Sequence, residues 1–394
     1  MSDQAKTNTN KHPQGPLLVV GSGLAGWSVV REFRKLDTET PVMMVTADVG
    51  DFYAKPALSN AFAQNKGPEQ LVTTPVERMV SSLGVTLLQR TVVTGVDVQA
   101  QEISTSKGTF GYRQLVLATG AQAIRLPLAG DASQAVLSVN SLADYAVFRA
   151  QLKPQSRVLI MGAGLIGCEF ANDLALGGHA VQVADPGTSP LAALLPAQAS
   201  EQLRQALADL GVRWHWQTTV QAVNRSAEAL AVQLANGQEV AVDVVLSAVG
   251  LRADTALAQA AGLAVDRGVL VDAQLKTSAE HVYALGDNTQ YASESVGGVA
   301  RTLPFVMPIM NAAKALAQTL VGNATAVAFP IMPVAVKTPA LPLVVSPPAP
   351  ATVGAWQAAD QGIWHFVSEG QVRGFVLAGV QTSRRAEQSK LVAV

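Results

Sequence analysis

Apolar residues first gather at 17–20 (LLVV), a run of strand length. The glycine-rich stretch GSGLAG follows at once, and Trp27, Val30, Phe33 and Arg34 then recur at helical spacing. This order predicts a strand, a tight turn and a helix. After Asp37 and Pro41 a second apolar run, 42–45 (VMMV), completes a βαβ unit. The pattern returns at 157–161 (RVLIM), which leads into GAGLIG, a helix over 165–177 and a strand over 180–184 that ends at Asp185. Two nucleotide-binding half-folds are therefore expected.

Alternating stretches at 91–96, 115–118, 232–249 and 269–271, punctuated by Gly108, Asn236-Gly237 and Gly268, predict further strands. Helical periodicity governs 198–210 and 309–321, the second closing on Val321-Gly322-Asn323 as a C-cap. From about 326 the texture becomes Pro-rich and Val-rich through Trp356, Trp364 and Phe375. The reading is an α/β chain with two Rossmann-like dinucleotide-binding domains and a small C-terminal α+β domain. Its boundaries are a disordered polar tail at 1–15, a first nucleotide domain at 16–121 and 246–325, a second at 122–245, and the C-terminal domain at 326–394.

Composition changes this picture little. Apolar residues are 49% and charged residues 14% of 394, which suits large buried cores, and a net charge of −1 gives no pull toward nucleic acid or anionic lipid. The most apolar tracts, 302–313 and 325–350, are broken by Pro304, Pro308, Pro330, Pro333, Lys337, Pro339 and Pro342, so no spanning helix is expected. The polar start lacks a secretory h-region, and a cytoplasmic location is the expectation. One cysteine, Cys168, can build neither an internal disulfide nor a Cys-based metal site alone, and no metal is expected.

The glycine loops carry the chemistry. Gly21 permits the turn, Gly23 lets backbone approach a pyrophosphate, and Gly26 allows close helix packing; the free N–H groups of the helix start then hold the anion. One such loop is weak evidence. Here each follows a strand, opens a helix and precedes an acid, Asp48 at 22 residues beyond Gly26 and Asp185 at 18 beyond Gly167. Two copies 141 residues apart imply two dinucleotides and a hydride passed between them, with an internal duplication carrying one degenerate site as the competing reading. Asp185 suits ribose hydroxyls and repels a 2′-phosphate, and no Arg or Lys lies between 180 and 203, so NADH is expected over NADPH. A plain strand-end turn before Pro186 is the competing reading of Asp185.

Five stretches resemble the FAD and NAD(P)H flavoproteins with two dinucleotide-binding domains, and the resemblance runs from residue 16 to the end. They are Gly21-Ser22-Gly23-Leu24-Ala25-Gly26, Leu117-Ala118-Thr119-Gly120, Gly162-Ala163-Gly164-Leu165-Ile166-Gly167-Cys168-Glu169, Ser247-Ala248-Val249-Gly250 and Tyr283-Ala284-Leu285-Gly286-Asp287. The resemblance implies FAD on the first unit and NAD(P)H on the second, with Asp287 on the ribityl chain. Within that family the chain is similar to the rubredoxin reductases of bacterial alkane oxidation at Tyr53-Ala54-Lys55-Pro56-Ala57-Leu58-Ser59, at Gly162 to Asp173 and at Val336-Lys337-Thr338-Pro339. This implies FAD contacts from Lys55, the Val93 backbone, Glu169, Val306 and Lys337, with Lys337 and Glu169 at the reacting flavin and rubredoxin as acceptor. Asn288 stands where relatives often have Cys.

Residues 48–64 hold no cysteine, so no thiol relay is expected beside the flavin, and Cys168 reads as packing. Each lysine and Glu169 also has a bland reading, as a surface Lys or a first-turn helix acid. Two other functions stay open: a ferredoxin or quinone reductase, and a flavoprotein binding module resembling apoptosis-inducing factor. Rapid NADH-dependent reduction of added rubredoxin separates the first class from the last.

Overall fold

Residues 11–227 and 229–393 are described by the computed structural model, so residues 1–10 of the expected polar tail lie outside the described residues. The chain divides into two compact units. One comprises 1–53, 73–121 and 252–330, and the other 54–72, 122–251 and 331–394.

The first unit is built on a parallel sheet in the order Val282–Ala284, Gln114–Leu117, Leu17–Val20, Val42–Val45, Val85–Leu88. Every residue of Leu17–Val20 and Val42–Val45 is buried, as expected of central strands covered on both faces, which is why these runs are continuous rather than alternating. Helices Leu24–Arg34 and Val306–Leu320 pack together, with the Ser28 hydroxyl against Met310 Sδ at 3.4 Å. The second helix begins three residues before the expected 309. Val306 and Met307 face solvent (38% and 53% exposed), so they fall outside the apolar stripe, and Pro308 is tolerated because it sits in the first turn. The expected strand at 91–96 appears as Val93–Asp97 in an antiparallel sheet with Glu102–Thr105 and Gly108–Gly111.

In the second unit a parallel sheet runs Arg213–Trp216, Ala180–Asp185, Arg157–Met161, Val244–Ser247. Helix Leu165–Leu176 connects Arg157–Met161 to Ala180–Asp185, and helix Ala197–Asp209 follows. The stretch read as β-rich over 232–249 resolves into Leu230–Leu234, Glu239–Val242 and Val244–Ser247, the first two joined by a turn through Gly237 at φ +86°. Val223, Val232, Val242, Leu159 and Val245 share one core. Residues 331–393 add a five-stranded antiparallel sheet, Val334–Val336, Leu343–Ser346, Gln371–Ala378, Ile363–Ser368, Ala355–Asp360, followed by a short helix, Arg385–Ser389. Its core of Val344, Ile363, Phe375, Leu377 and Val392 is a cluster of its own. This unit also holds a 3₁₀ helix, Lys55–Asn60, and a single α-helical turn, Pro68–Leu71.

Candidate functional site

In the first unit the glycine loop leaves the carboxyl end of Leu17–Val20, beside the end of Gln114–Leu117, where the sheet order reverses. Open α/β sheets bind ligands at such a point. Gly21 has φ +108°, and a Cβ there would lie 2.2 Å from the Ala118 carbonyl, so only glycine fits. A Cβ at Gly26 would come within 2.0 Å of the Gly21 carbonyl: this glycine packs the helix onto the loop itself. At Gly23, by contrast, a Cβ meets nothing within 4 Å. Helix Leu24–Arg34 has no side-chain cap and no acid in its first turn, so open space and unsatisfied N–H groups coincide there. A dinucleotide pyrophosphate fits both.

Neighbouring segments converge on this loop. The Ser22 hydroxyl donates to Thr46 Oγ1 at 2.8 Å, and the Trp27 indole N–H donates to the Gly50 carbonyl at 3.0 Å. Asp48 is exposed, with Oδ1 accepting from the Val49 N–H at 2.7 Å, and the Arg90 N–H reaches the Asp48 carbonyl at 3.0 Å, close in sequence to Val93. Thr119 Oγ1 donates to the Asp254 carbonyl at 2.9 Å, while the Asp254 N–H donates to Gly120. A Cβ on Gly286 would stand 2.8 Å from that of Ala25, which puts the half-buried Asp287 beside the first turn of the glycine-loop helix. Asn288 Nδ2 donates to the Leu117 carbonyl at 3.1 Å and ties this loop to the sheet. Thr46 and Asn288 are structural partners that sequence reasoning did not assign. Val306, the remaining expected contact in this unit, is the first residue of its helix.

The second unit repeats the arrangement. Gly162 has φ +101°, a Cβ at Gly164 meets nothing within 4 Å, and a Cβ at Gly167 would lie 2.0 Å from the Gly162 carbonyl. Helix Leu165–Leu176 also starts without a side-chain cap. The Asp185 carboxylate accepts from Ala163 N–H and Gly187 N–H, both at 2.7 Å, so it braces the glycine loop as well as ending its strand. Each carboxylate oxygen still has acceptor capacity for a sugar hydroxyl. Gly250, at φ +110°, accepts from Ile124 N–H at 3.1 Å. Cys168 is fully buried, its thiol donates to the Ala163 carbonyl at 3.3 Å, and burial raises its pKa, so it packs as a neutral thiol.

Glu169, Lys55 and Lys337 also lie in the second unit. Glu169 is 1% exposed, so it is no surface first-turn acid. It accepts from the Ser59 hydroxyl at 2.6 Å and from the Lys337 backbone N–H at 2.9 Å, with the Lys337 ammonium 3.8 Å away. That ammonium donates to the Pro56 carbonyl at 2.7 Å, and the Lys55 ammonium donates to Asn140 Oδ1 at 3.1 Å. Burial lowers the Lys337 pKa, against the opposing pull of Glu169. The two lysine segments are thus brought together around one buried carboxylate.

Among the described residues no helix is long and apolar enough to cross a membrane, and no cluster of three His, Cys, Asp or Glu could hold a metal. Residues 15–318 match the pyridine nucleotide-disulphide oxidoreductase family, and 326–392 match the rubredoxin binding C-terminal domain. The rubredoxin-NAD(+) reductase of Alcanivorax borkumensis is 43% identical over 95% of this chain and 98% of its own, and that of Acinetobacter baylyi 42% over 96% and 98%. The covalent putidaredoxin reductase–putidaredoxin complex contains a chain of the same fold, with TM-score 0.87 at 22% identity over 96% of this chain and 93% of that one. The chain therefore belongs to the pyridine nucleotide-disulphide oxidoreductase family and is an oxidoreductase with two dinucleotide-binding folds, followed by a rubredoxin-binding domain.

Proposed function

We propose that this chain is a cytoplasmic FAD enzyme that takes a hydride from NADH and passes electrons to rubredoxin in an alkane-hydroxylating chain. The match of 326–392 to the rubredoxin-binding domain, behind two open glycine-loop helices, is what carries the reading. FAD is assigned to Gly21, Ser22, Gly23, Leu24, Ala25 and Gly26, with Asp48, the Val93 backbone, Thr119, Gly120, Gly286, Asp287 and Val306. NADH is assigned to Gly162, Gly164, Leu165, Ile166, Gly167, Asp185 and Gly250. Lys55, Glu169 and Lys337 serve the flavin ring, Lys337 as a cation at the N1/C2 edge. A bound flavin accepts two electrons together and releases them singly, which nicotinamide alone does poorly. Lys337 would stabilise the added negative charge, and the buried Glu169 would hold Lys337.

The test is stopped-flow reduction by NADH followed by mixing with rubredoxin and, separately, with a two-iron ferredoxin. Fast reoxidation by rubredoxin alone is the expected result. Faster reoxidation by the ferredoxin would favour a reductase of an oxygenase system, and negligible turnover with a long-lived charge-transfer complex would favour a binding module.

A further inference from the structure

Helix Leu165–Leu176 is apolar except for one buried row, Glu169, Asn172 and Asp173, exposed by 1%, 0% and 3%. Spacings of three and four place these residues on one face. Between them they meet the two segments that carry and receive the Lys337 ammonium. Asn172 Oδ1 accepts from the Ala340 N–H at 3.0 Å, three residues beyond Lys337, while its Nδ2 has no hydrogen-bond partner. Asp173 accepts from the Phe62 N–H at 2.8 Å and the Ala63 N–H at 3.0 Å, just past the 3₁₀ turn whose Pro56 carbonyl receives the Lys337 ammonium. Glu169 touches both segments, through Ser59 and the Lys337 N–H.

Buried polar groups in an apolar helix are costly unless paired, and these pair with the two loop segments rather than with one another. We propose that Asn172 and Asp173 are positioning residues, which fix the Lys337 loop and the Pro56 turn so that the Lys337 ammonium keeps one place. Both act through Lys337 rather than on the flavin itself. The inference rests on the role given to Lys337 above.

The test is a double-mutant cycle on the flavin midpoint potential of the holoenzyme, using Asn172→Leu, Lys337→Met and the pair. Asn172→Leu keeps the branched shape, at a larger volume, and removes the acceptor. The potential should fall in the same direction as in Lys337→Met, single-turnover reduction by NADH should slow about threefold to tenfold, and KM for NADH should stay within twofold. In the Lys337→Met background the same substitution should leave the potential unmoved. Restoring an acceptor with Asn172→Asp should return the potential toward wild type. If Asn172→Leu yields no holoenzyme, Asn172→Ser, too short to reach Ala340, replaces it. A lowered melting temperature with a wild-type potential would overturn the proposal, as would an undiminished shift in the Lys337→Met background. An unchanged potential in Lys337→Met alone would instead sink the role of Lys337, whatever Asn172 does.

Discussion

Lys337 carries the first prediction at the scale of single residues. Two-electron reduction leaves negative charge on a flavin, so a nearby cation favours the reduced form. A partly buried charge contact of about 1.5 to 3 kcal/mol, at about 30 mV per 1.4 kcal/mol, gives a fall of roughly 30 to 65 mV in Lys337→Met. The pH dependence has a definite sign. Burial lowers the Lys337 pKa, so as pH rises the wild-type ammonium is lost before an ordinary lysine would be. The difference in potential between wild type and Lys337→Met should accordingly shrink as pH rises, which spectroelectrochemistry at stepped pH reads directly; a constant difference argues against a titrating cation. Cys168 carries the opposite expectation. Its thiol is fully buried against Ala163, so Cys168→Ser should leave NADH reduction and rubredoxin turnover within about twofold. Lost turnover with FAD still bound would reveal a thiol step.

Among the elements, the βαβ units were legible because their signals are local: a buried run, a loop in which only glycine fits at Gly21 and Gly162, and a helix with an open start. The strand ending at Asp185 is marked in the sequence by its acid, and the carboxylate also holds the Ala163 and Gly187 N–H groups. In wild type NADH should exceed NADPH in catalytic efficiency by well over tenfold, on the order of 2 kcal/mol or more, because a 2′-phosphate would meet this carboxylate and the stretch 180–203 holds no Arg or Lys to receive it. Equal efficiencies would refute that role. Replacing Asp185 by Asn keeps only one acceptor oxygen, so it should raise KM for both nucleotides as well as narrow their ratio. Less legible was the segment 54–72, which joins the second unit through contacts remote in sequence. Phe62 packs edge-on against Tyr145 and Phe148, and Tyr145 donates to the Lys66 carbonyl at 2.8 Å. No local pattern encodes such pairings. The polar row on helix Leu165–Leu176 was open to detection, since Glu169, Asn172 and Asp173 are its only strongly polar residues and fall on one face. An apolar period read alone passes over them.

For the whole molecule, the division of the chain makes the C-terminal sheet separable in one respect and not in another. Every strand of the first unit lies before residue 331, including the glycine loop, Thr119 and Asp287. A chain ending at Pro330 should therefore still bind FAD, seen as retained visible flavin absorbance after desalting. The second unit would be damaged. Glu169 would lose the Lys337 N–H and ammonium, and Asn172 the Ala340 N–H. Buried groups left without partners cost about 1 to 3 kcal/mol each. At roughly 2 to 4 °C per kcal/mol for units of this size, melting should fall by at least about 4 °C. Reduction of rubredoxin should be abolished with the domain that matches its binding family, while a small chemical oxidant such as ferricyanide should still draw electrons at a reduced rate. Rubredoxin turnover close to wild type in the shortened chain would place the docking surface before residue 331 and remove the C-terminal sheet from the electron path.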